Sequence, residues 1–193
     1  MRLYLIRHGE TDWQLVSRRG VKGMAASLAP LTSVGRLQIE TMAGDYRLAE
    51  AEAILCSSYA RALESAALMS RKLNKPLYVE YDLHEWLPQK DPLADISESL
   101  LLEANEGLRR EMDKLSPLEP TPPWESLAEV RARVTEVLKR YRQFSTLVIV
   151  THAVVISSLV GVQRSVDHAE IVSLDLDIEA PVPELAASRQ RPL

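Results

Sequence analysis

Cysteine occurs once in this chain of 193 residues, at Cys56, so no disulfide can form within it. Long apolar runs are missing as well. No stretch approaches the roughly 20 apolar residues that a membrane span requires. Arg7 interrupts the N-terminal apolar run too early for a signal sequence. A cytoplasmic location without a membrane partner is therefore expected. The chain also lacks an excess of positive charge: its formal net charge of −4 argues against a nucleic-acid partner. Nor does it contain His-Glu-x-x-His or a comparable spacing of ligands, so no metal and no other cofactor is expected.

What remains, 46% apolar and 26% charged residues, is the balance of one enzyme-sized globular domain with a sizeable core. Four short apolar runs read as buried strands: Leu3-Tyr4-Leu5-Ile6, Ala53-Ile54-Leu55-Cys56, Leu77-Tyr78-Val79 and Leu147-Val148-Ile149-Val150. Helical patterns alternate with them, which implies a mostly parallel sheet. In such sheets ligands bind outside the carboxyl ends of the strands. Arg7-His8-Gly9-Glu10-Thr11 leaves the first strand, Ser57-Ser58-Tyr59-Ala60-Arg61 the second, His84-Glu85 the third and Thr151-His152 the fourth. Imidazole nitrogen can attack phosphorus and guanidinium can hold phosphate oxygens in a planar fork, so this edge points to phosphoryl chemistry. Cysteine chemistry fits less well. A thiolate loop would need Cys-x5-Arg, whereas four residues and no glycine separate Cys56 from Arg61, and Cys56 reads as core.

The helices complete a three-layer α/β/α sandwich. Thr32 is the expected N-cap of a helix reaching about residue 47, and Leu63, Ala66, Ala67, Ser70 and Leu73 form the expected inner face of the next. Leu127, Val130, Val134, Val137, Leu138 and Tyr141 recur at helical spacing before the fourth strand. Residues 88–123 break the pattern with six of the eleven prolines around an amphipathic helix built on Leu101, Leu108, Met112 and Leu115, and read as a lid over the pocket. Ile171–Leu176 alternates as an edge strand would. The domain is expected to span residues 1–178, followed by a mobile tail over 179–193. His84 and His168 carry no supporting motif and read as surface or structural. Arg18, Arg19 and Lys22 read as a solvated loop, with steering of an anionic substrate as the functional option.

Taken together, these motifs resemble the histidine phosphatase superfamily, the phosphoglycerate mutase-like fold, over roughly residues 1–178. Arg7-His8-Gly9-Glu10-Thr11 is similar to the family signature. Pro30-Leu31-Thr32 with Gly35 and Gln38 resembles the opening of its first helix, and Ser57-Ser58 with Arg61-Ala62 its second phosphate-binding segment. Glu125-Ser126 resembles a pair on its next long helix, and Thr151-His152 the site of its second histidine. The chain departs from the pattern at four places. Gln14 replaces a common asparagine, Ala153 a usual glycine and Tyr59 a common proline, while Glu85 lacks the usual glycine-rich surroundings.

The resemblance implies a metal-independent phosphatase acting on small phosphomonoesters through a phosphohistidine at His8. Arg7, Arg61 and a protonated His152 would hold the phosphoryl oxygens, and Glu85 would be the proton donor. Thr11, Ser57, Gln14 and Ala153 would line the phosphate site. Two alternatives stay open: phosphoglycerate mutase-type phosphoryl transfer, and a catalytically weak regulatory protein that binds a phosphorylated ligand. The expected partner is a small phosphorylated substrate, with a homodimer kept open as the assembly.

Overall fold

A computed structural model describes residues 1–91, 96–113, 122–161 and 165–177. Among these residues, five strands form one mixed sheet: β1 (Arg2–Arg7), β2 (Ala53–Ser57), β3 (Leu77–Glu80), β4 (Thr146–Thr151) and β5 (Ile171–Asp175). Their spatial order is β3-β2-β4-β1-β5. β1 and β2 both run parallel to β4, and β3 runs parallel to β2, whereas β5 pairs antiparallel with β1. The carboxyl ends of β1 to β4 therefore lie along one edge, and the entry to β5 lies at that same edge.

Side chains alternate across a strand, and here the alternation separates two cores. Leu3, Leu5, Leu55, Leu147 and Ile149 face one layer, formed by α4 (Glu98–Met112), α5 (Leu127–Arg140) and α6 (Ala153–Val160). Tyr4, Ile6, Ile54, Cys56, Val148 and Val150 face the other, with α2 (Ser33–Met42) and α3 (Ala60–Leu73). The three-layer architecture with its mostly parallel sheet is thus as the sequence indicated. Cys56 is a core thiol, which burial pushes up to about 12. Among the described residues no helix is long and apolar enough to cross a membrane.

Three helical expectations are corrected. α2 ends at Met42 instead of continuing to about residue 47. Its C-terminal turn closes at Ala43, and Asp45 then captures the Arg47 backbone N–H at 2.9 Å, restarting the chain as a 3₁₀ turn over Tyr46–Glu50. α3 buries Ala62, Ser65, Ala66 and Met69, while Ala67 is exposed and Leu63, Ser70 and Leu73 are only partly covered. Small residues lie under the sheet because they let the helix approach it, and the leucines spread to the flanks.

α4 is a helix within the insertion whose inner face keeps Leu108 and, partly buried, Met112 of the expected set, but not Leu101. Ala104, Gly107 and Leu108 are buried while Leu101 is exposed. Gly107 lies against the Trp124 indole so closely that a β-carbon there would overlap the ring. Leu115 and the tail beyond Asp177 lie outside the described residues. Thr32 is the N-cap that the sequence suggests, accepting from the Gly35 N–H at 2.9 Å, and Ser126 caps α5 from just outside it, in a reciprocal capping box with Glu129.

Candidate active site

His8 leaves β1 beside β4, where its backbone N–H donates to the Thr151 carbonyl at 3.0 Å. The loop that follows is wedged against the first turn of α2. A β-carbon on Gly9 would overlap the Gly35 carbonyl, so glycine is needed here for close approach, not for an unusual φ. Glu10 fixes the loop: its N–H donates to Gln38 Oε1 at 2.9 Å, and its carboxylate accepts from Thr32 Oγ1 at 2.8 Å. Gly9 N–H donates to Ser65 Oγ at 3.1 Å, tying the loop to α3 as well.

This scaffold sets the state of the His8 ring. Nδ1 lies 2.8 Å from the Gly9 carbonyl and must donate to it, so the proton sits on Nδ1 and Nε2 keeps its lone pair. Arg61 Nε donates to that Nε2 at 3.1 Å. Burial, opposed by the Gly9 bond and reinforced by Arg61, Arg7 and His168, pushes the His8 pKa down to about 3. A neutral imidazole with a directed lone pair is the form in which histidine is a nucleophile.

The other strand ends close around it. The His152 ring is 5.1 Å from the His8 ring, and its Nε2 lies 2.9 Å from Ser57 Oγ at the end of β2. His152 is the N-cap of α6, in extended conformation at φ −125° and ψ 164°, and Ala153 opens the helix behind it. Arg7 Nη1 donates to the Val166 carbonyl at 2.6 Å. Arg7 Nε and His152 Nδ1 are buried without a hydrogen-bond partner among the described residues. Buried polar groups are normally paired, so two orphaned nitrogens flanking one nucleophile mark a place for a polar ligand.

Arg61 lies over two aromatic rings, its guanidinium carbon 5.0 Å from the Tyr59 ring and 5.4 Å from the Trp13 ring. Tyr59 in turn stacks on His84 at 6.1 Å. His84, which the sequence left as surface or structural, is buried, with Nδ1 2.7 Å from the Glu85 carbonyl. Thr11 is buried, with Oγ1 3.5 Å from His8 Nδ1. Gln14, by contrast, is exposed on the short helix α1 (Trp13–Arg18) and takes no part in these contacts. Arg18, Arg19 and Lys22 are exposed as well.

Burial, then Arg61, His8, His84 and Arg133, drive the His152 pKa well below the ordinary histidine value, so a protonated His152 needs an anion beside it. An arriving anion would supply the negative charge that the surroundings lack.

Glu85 reaches the edge by another route. Beyond β3 and a 3₁₀ turn over Tyr81–Leu83, its Oε1 accepts from the Trp86 N–H at 2.9 Å. Burial raises its pKa, opposed by that N–H and by Arg61, Arg7 and Arg133. The loop is pinned by a buried ion pair that sequence reasoning missed. Arg133 Nε and Nη2 donate to the Glu125 carboxylate at 2.6 and 3.0 Å, while Nη1 and Nη2 donate to the Asp82 and Glu85 carbonyls at 2.5 and 3.4 Å. Glu125 also accepts from the Leu87 N–H at 3.2 Å. Glu125 was visible as half of a motif; its partner two turns along α5 had no signal beyond that spacing.

His168 was missed too. Its ring lies 5.6 Å from the His8 ring, on the turn that enters β5. No motif marks it. The antiparallel pairing of β5 with β1, which brings that entry to the catalytic edge, is a fact of topology. Among the described residues, no group of three or more His, Cys, Asp and Glu side chains is placed to hold a metal ion.

Comparison with known proteins agrees with this geometry. The sequence matches a family model of the histidine phosphatase superfamily, branch 1, over residues 3–180. A probable phosphoglycerate mutase of Photorhabdus laumondii is 25% identical over 167 residues, which are 83% of this chain and 74% of that protein. The fold is similar to that of a mycobacterial glucosyl-3-phosphoglycerate phosphatase, with a TM-score of 0.65 at 21% identity over 90% of this chain and 92% of that one. It is also similar to the alpha-ribazole phosphatase of Shigella flexneri, with a TM-score of 0.62 at 25% identity over 92% and 91%. With a family match that spans the whole sheet and the signature residues gathered at its edge, the chain belongs to branch 1 of the histidine phosphatase superfamily.

Proposed function

We propose that the protein is a metal-independent phosphatase that hydrolyses small phosphomonoesters through a phosphohistidine on His8. The observation that carries this reading is the directed Nε2 of a neutral His8, with Arg61 at 3.1 Å and the His152 ring at 5.1 Å. As Arg61 turns its N–H from Nε2 to a phosphoryl oxygen, the freed Nε2 lone pair attacks phosphorus in line, so the N–P bond forms as the P–O ester bond breaks. Glu85, whose raised pKa favours the protonated form, gives its proton to the departing alkoxide. The resulting carboxylate then takes a proton from water, whose oxygen attacks phosphorus and releases phosphate from His8. Arg7, Arg61, Ser57, Thr11 and a His152 that gains its proton with the ligand hold the equatorial oxygens. The helical insertion, which follows Glu85 directly in the chain, would serve as a lid that selects the leaving group.

The phosphatase activities named for the mycobacterial and Shigella proteins of similar fold support hydrolysis. The mutase name of the Photorhabdus relative favours a second reading, in which the same phosphohistidine returns its phosphoryl group to a phosphoglycerate. Rapid quenching into alkaline denaturant with a 32P-labelled ester tests both. Phosphohistidine survives base and is lost in acid, so base-stable label on the wild type and none on His8→Ala is expected, with turnover lost by about 10⁴-fold or more. Label chased into water identifies a phosphatase; label chased into added phosphoglycerate identifies a mutase. Activity in His8→Ala, or loss of wild-type activity in EDTA with recovery on adding a divalent ion, would overturn the proposal.

A further inference from the structure

Among the groups near His8 that this mechanism leaves unused, His168 is the one best placed to touch a phosphate. Its ring stands 5.6 Å from the His8 ring, tilted by 44°. It is half-buried, and among the described residues its ring contact is with His8. The turn that carries it is anchored to the residue just before the nucleophile: Arg7 Nη1 donates to the Val166 carbonyl at 2.6 Å, and the Ala169 N–H donates to the Arg7 carbonyl at 3.0 Å. Ala169 adopts φ +58°, a left-handed conformation that non-glycine residues rarely take and that persists only where surrounding bonds enforce it. A strained, doubly anchored turn thus holds an imidazole beside the reacting ring.

We propose that His168 is a phosphate-binding residue of this site, donating a ring N–H to a non-bridging oxygen of the phosphoryl group in line with, or carried by, His8. The inference rests on the phosphohistidine reading for its second state only; binding of inorganic phosphate tests it separately. The charged groups facing His168 are Arg7 and His8 from the end of β1, Glu10 from the signature loop, and Asp167 from its own turn. Glu170, whose carboxylate accepts from the Asp167 N–H at 2.8 Å, closes that turn. Burial and Arg7 hold the imidazole towards its neutral form, against Glu10 and Asp167. A phosphate dianion adds negative charge on the His8 side and draws a proton onto the ring, so His168 adds its own proton uptake to that of His152 when phosphate binds, which Arg7 and Arg61 cannot do.

The test is calorimetric titration of inorganic phosphate at pH 7 into wild type, His168→Ala and His168→Asn, in buffers of different ionisation enthalpy. Losing a charge-assisted hydrogen bond should weaken phosphate binding by about 10- to 100-fold in His168→Ala. His168→Asn, which keeps an N–H donor but cannot titrate, should recover part of the affinity. Both variants should take up fewer protons on binding than the wild type, a change that a purely structural role for the turn would not produce. Wild-type affinity in a folded His168→Ala, or wild-type proton uptake in His168→Asn, would overturn the proposal. The Asn variant decides the matter alone if thermal melting shows that the Ala variant does not fold. A quench experiment that finds no phosphohistidine while His168→Ala still loses phosphate affinity would defeat the mechanism and leave this binding role standing.

Discussion

The site has two halves that are built differently. In the phosphate half, His8, Ser57 and His152 lie at or one residue beyond the ends of adjacent strands, with Arg61 in the first turn of α3. They brace one another through the Arg61–His8 and His152–Ser57 contacts. In the acid half, Glu85 stands five residues beyond the end of β3 on the outermost strand, and its loop is held from α5 by Arg133 and Glu125. The sheet's ladder positions the first half directly; one buried ion pair positions the second. The halves should therefore fail separately.

The largest separation is expected from Glu85→Gln. An alkoxide is a poor leaving group, so removing the acid should slow alkyl phosphate hydrolysis by about 10² to 10⁴-fold. p-Nitrophenolate leaves without a proton, so p-nitrophenyl phosphate should be affected far less and the affinity for inorganic phosphate hardly at all. The pH profile gives a sign. The raised pKa of Glu85 keeps the working, protonated form present above the usual carboxylate range, and kcat/KM on alkyl esters should fall as pH rises through that pKa. His8, held down to about 3, contributes no acidic limb near neutral pH. Equal losses on both substrates would show that Glu85 supports the site as a whole.

A smaller effect on rate, with a larger one on stability, is expected where the acid half is anchored. The Arg133 and Glu125 side chains are only 13% and 9% exposed. Arg133→Met leaves a buried carboxylate without its partner, which costs about 3–5 kcal/mol. Combining it with Glu125→Gln should restore much of that, because no unpaired charge then remains. Both variants should lose about tenfold in kcat on alkyl esters as the Glu85 loop loosens, while phosphate inhibition keeps its wild-type constant. Weaker phosphate inhibition in the folded double variant would mean that the halves are mechanically coupled.

The same division explains what could be read from the sequence. The phosphate half was legible because its residues follow short apolar runs, and a strand's exit is a local property of the chain. Leu3 to Ile6 and Leu147 to Val150 even divide between the two cores by simple alternation. Helix faces were less legible. Ranking by hydrophobicity favours leucine over alanine, yet α3 and α4 turn Ala62, Ala104 and Gly107 inward, beside the expected Ala66, because close packing needs small groups. Arg133 and His168 could not be found locally. One depends on the packing of α5 beside the Glu85 loop, the other on the antiparallel return of β5. The strand-exit pattern placed Glu85 at the edge, the resemblance implied its role as acid, and its anchoring belongs to the folded chain.

The smallest effect is expected at Ala153, where a family glycine is replaced within the phosphate half. If glycine were required there for its backbone freedom, Ala153 would have to adopt a positive φ. Among the described residues, the non-glycine positions with positive φ are Asn74 and Ala169. The turn from β4 into α6 is instead made by His152 in ordinary extended conformation, with Ala153 entering the helix. Its N–H stays available at the helix terminus, where unpaired amides favour an anion whatever the side chain. Ala153→Gly should therefore change kcat/KM by less than about threefold. The melting temperature should fall slightly, since glycine costs up to about 1 kcal/mol in a helix and less at its first position. A gain above about tenfold in kcat/KM, an effect larger than 1.4 kcal/mol, would show that the alanine methyl crowds the phosphate. The phosphate half would then be less finished than its hydrogen bonds indicate.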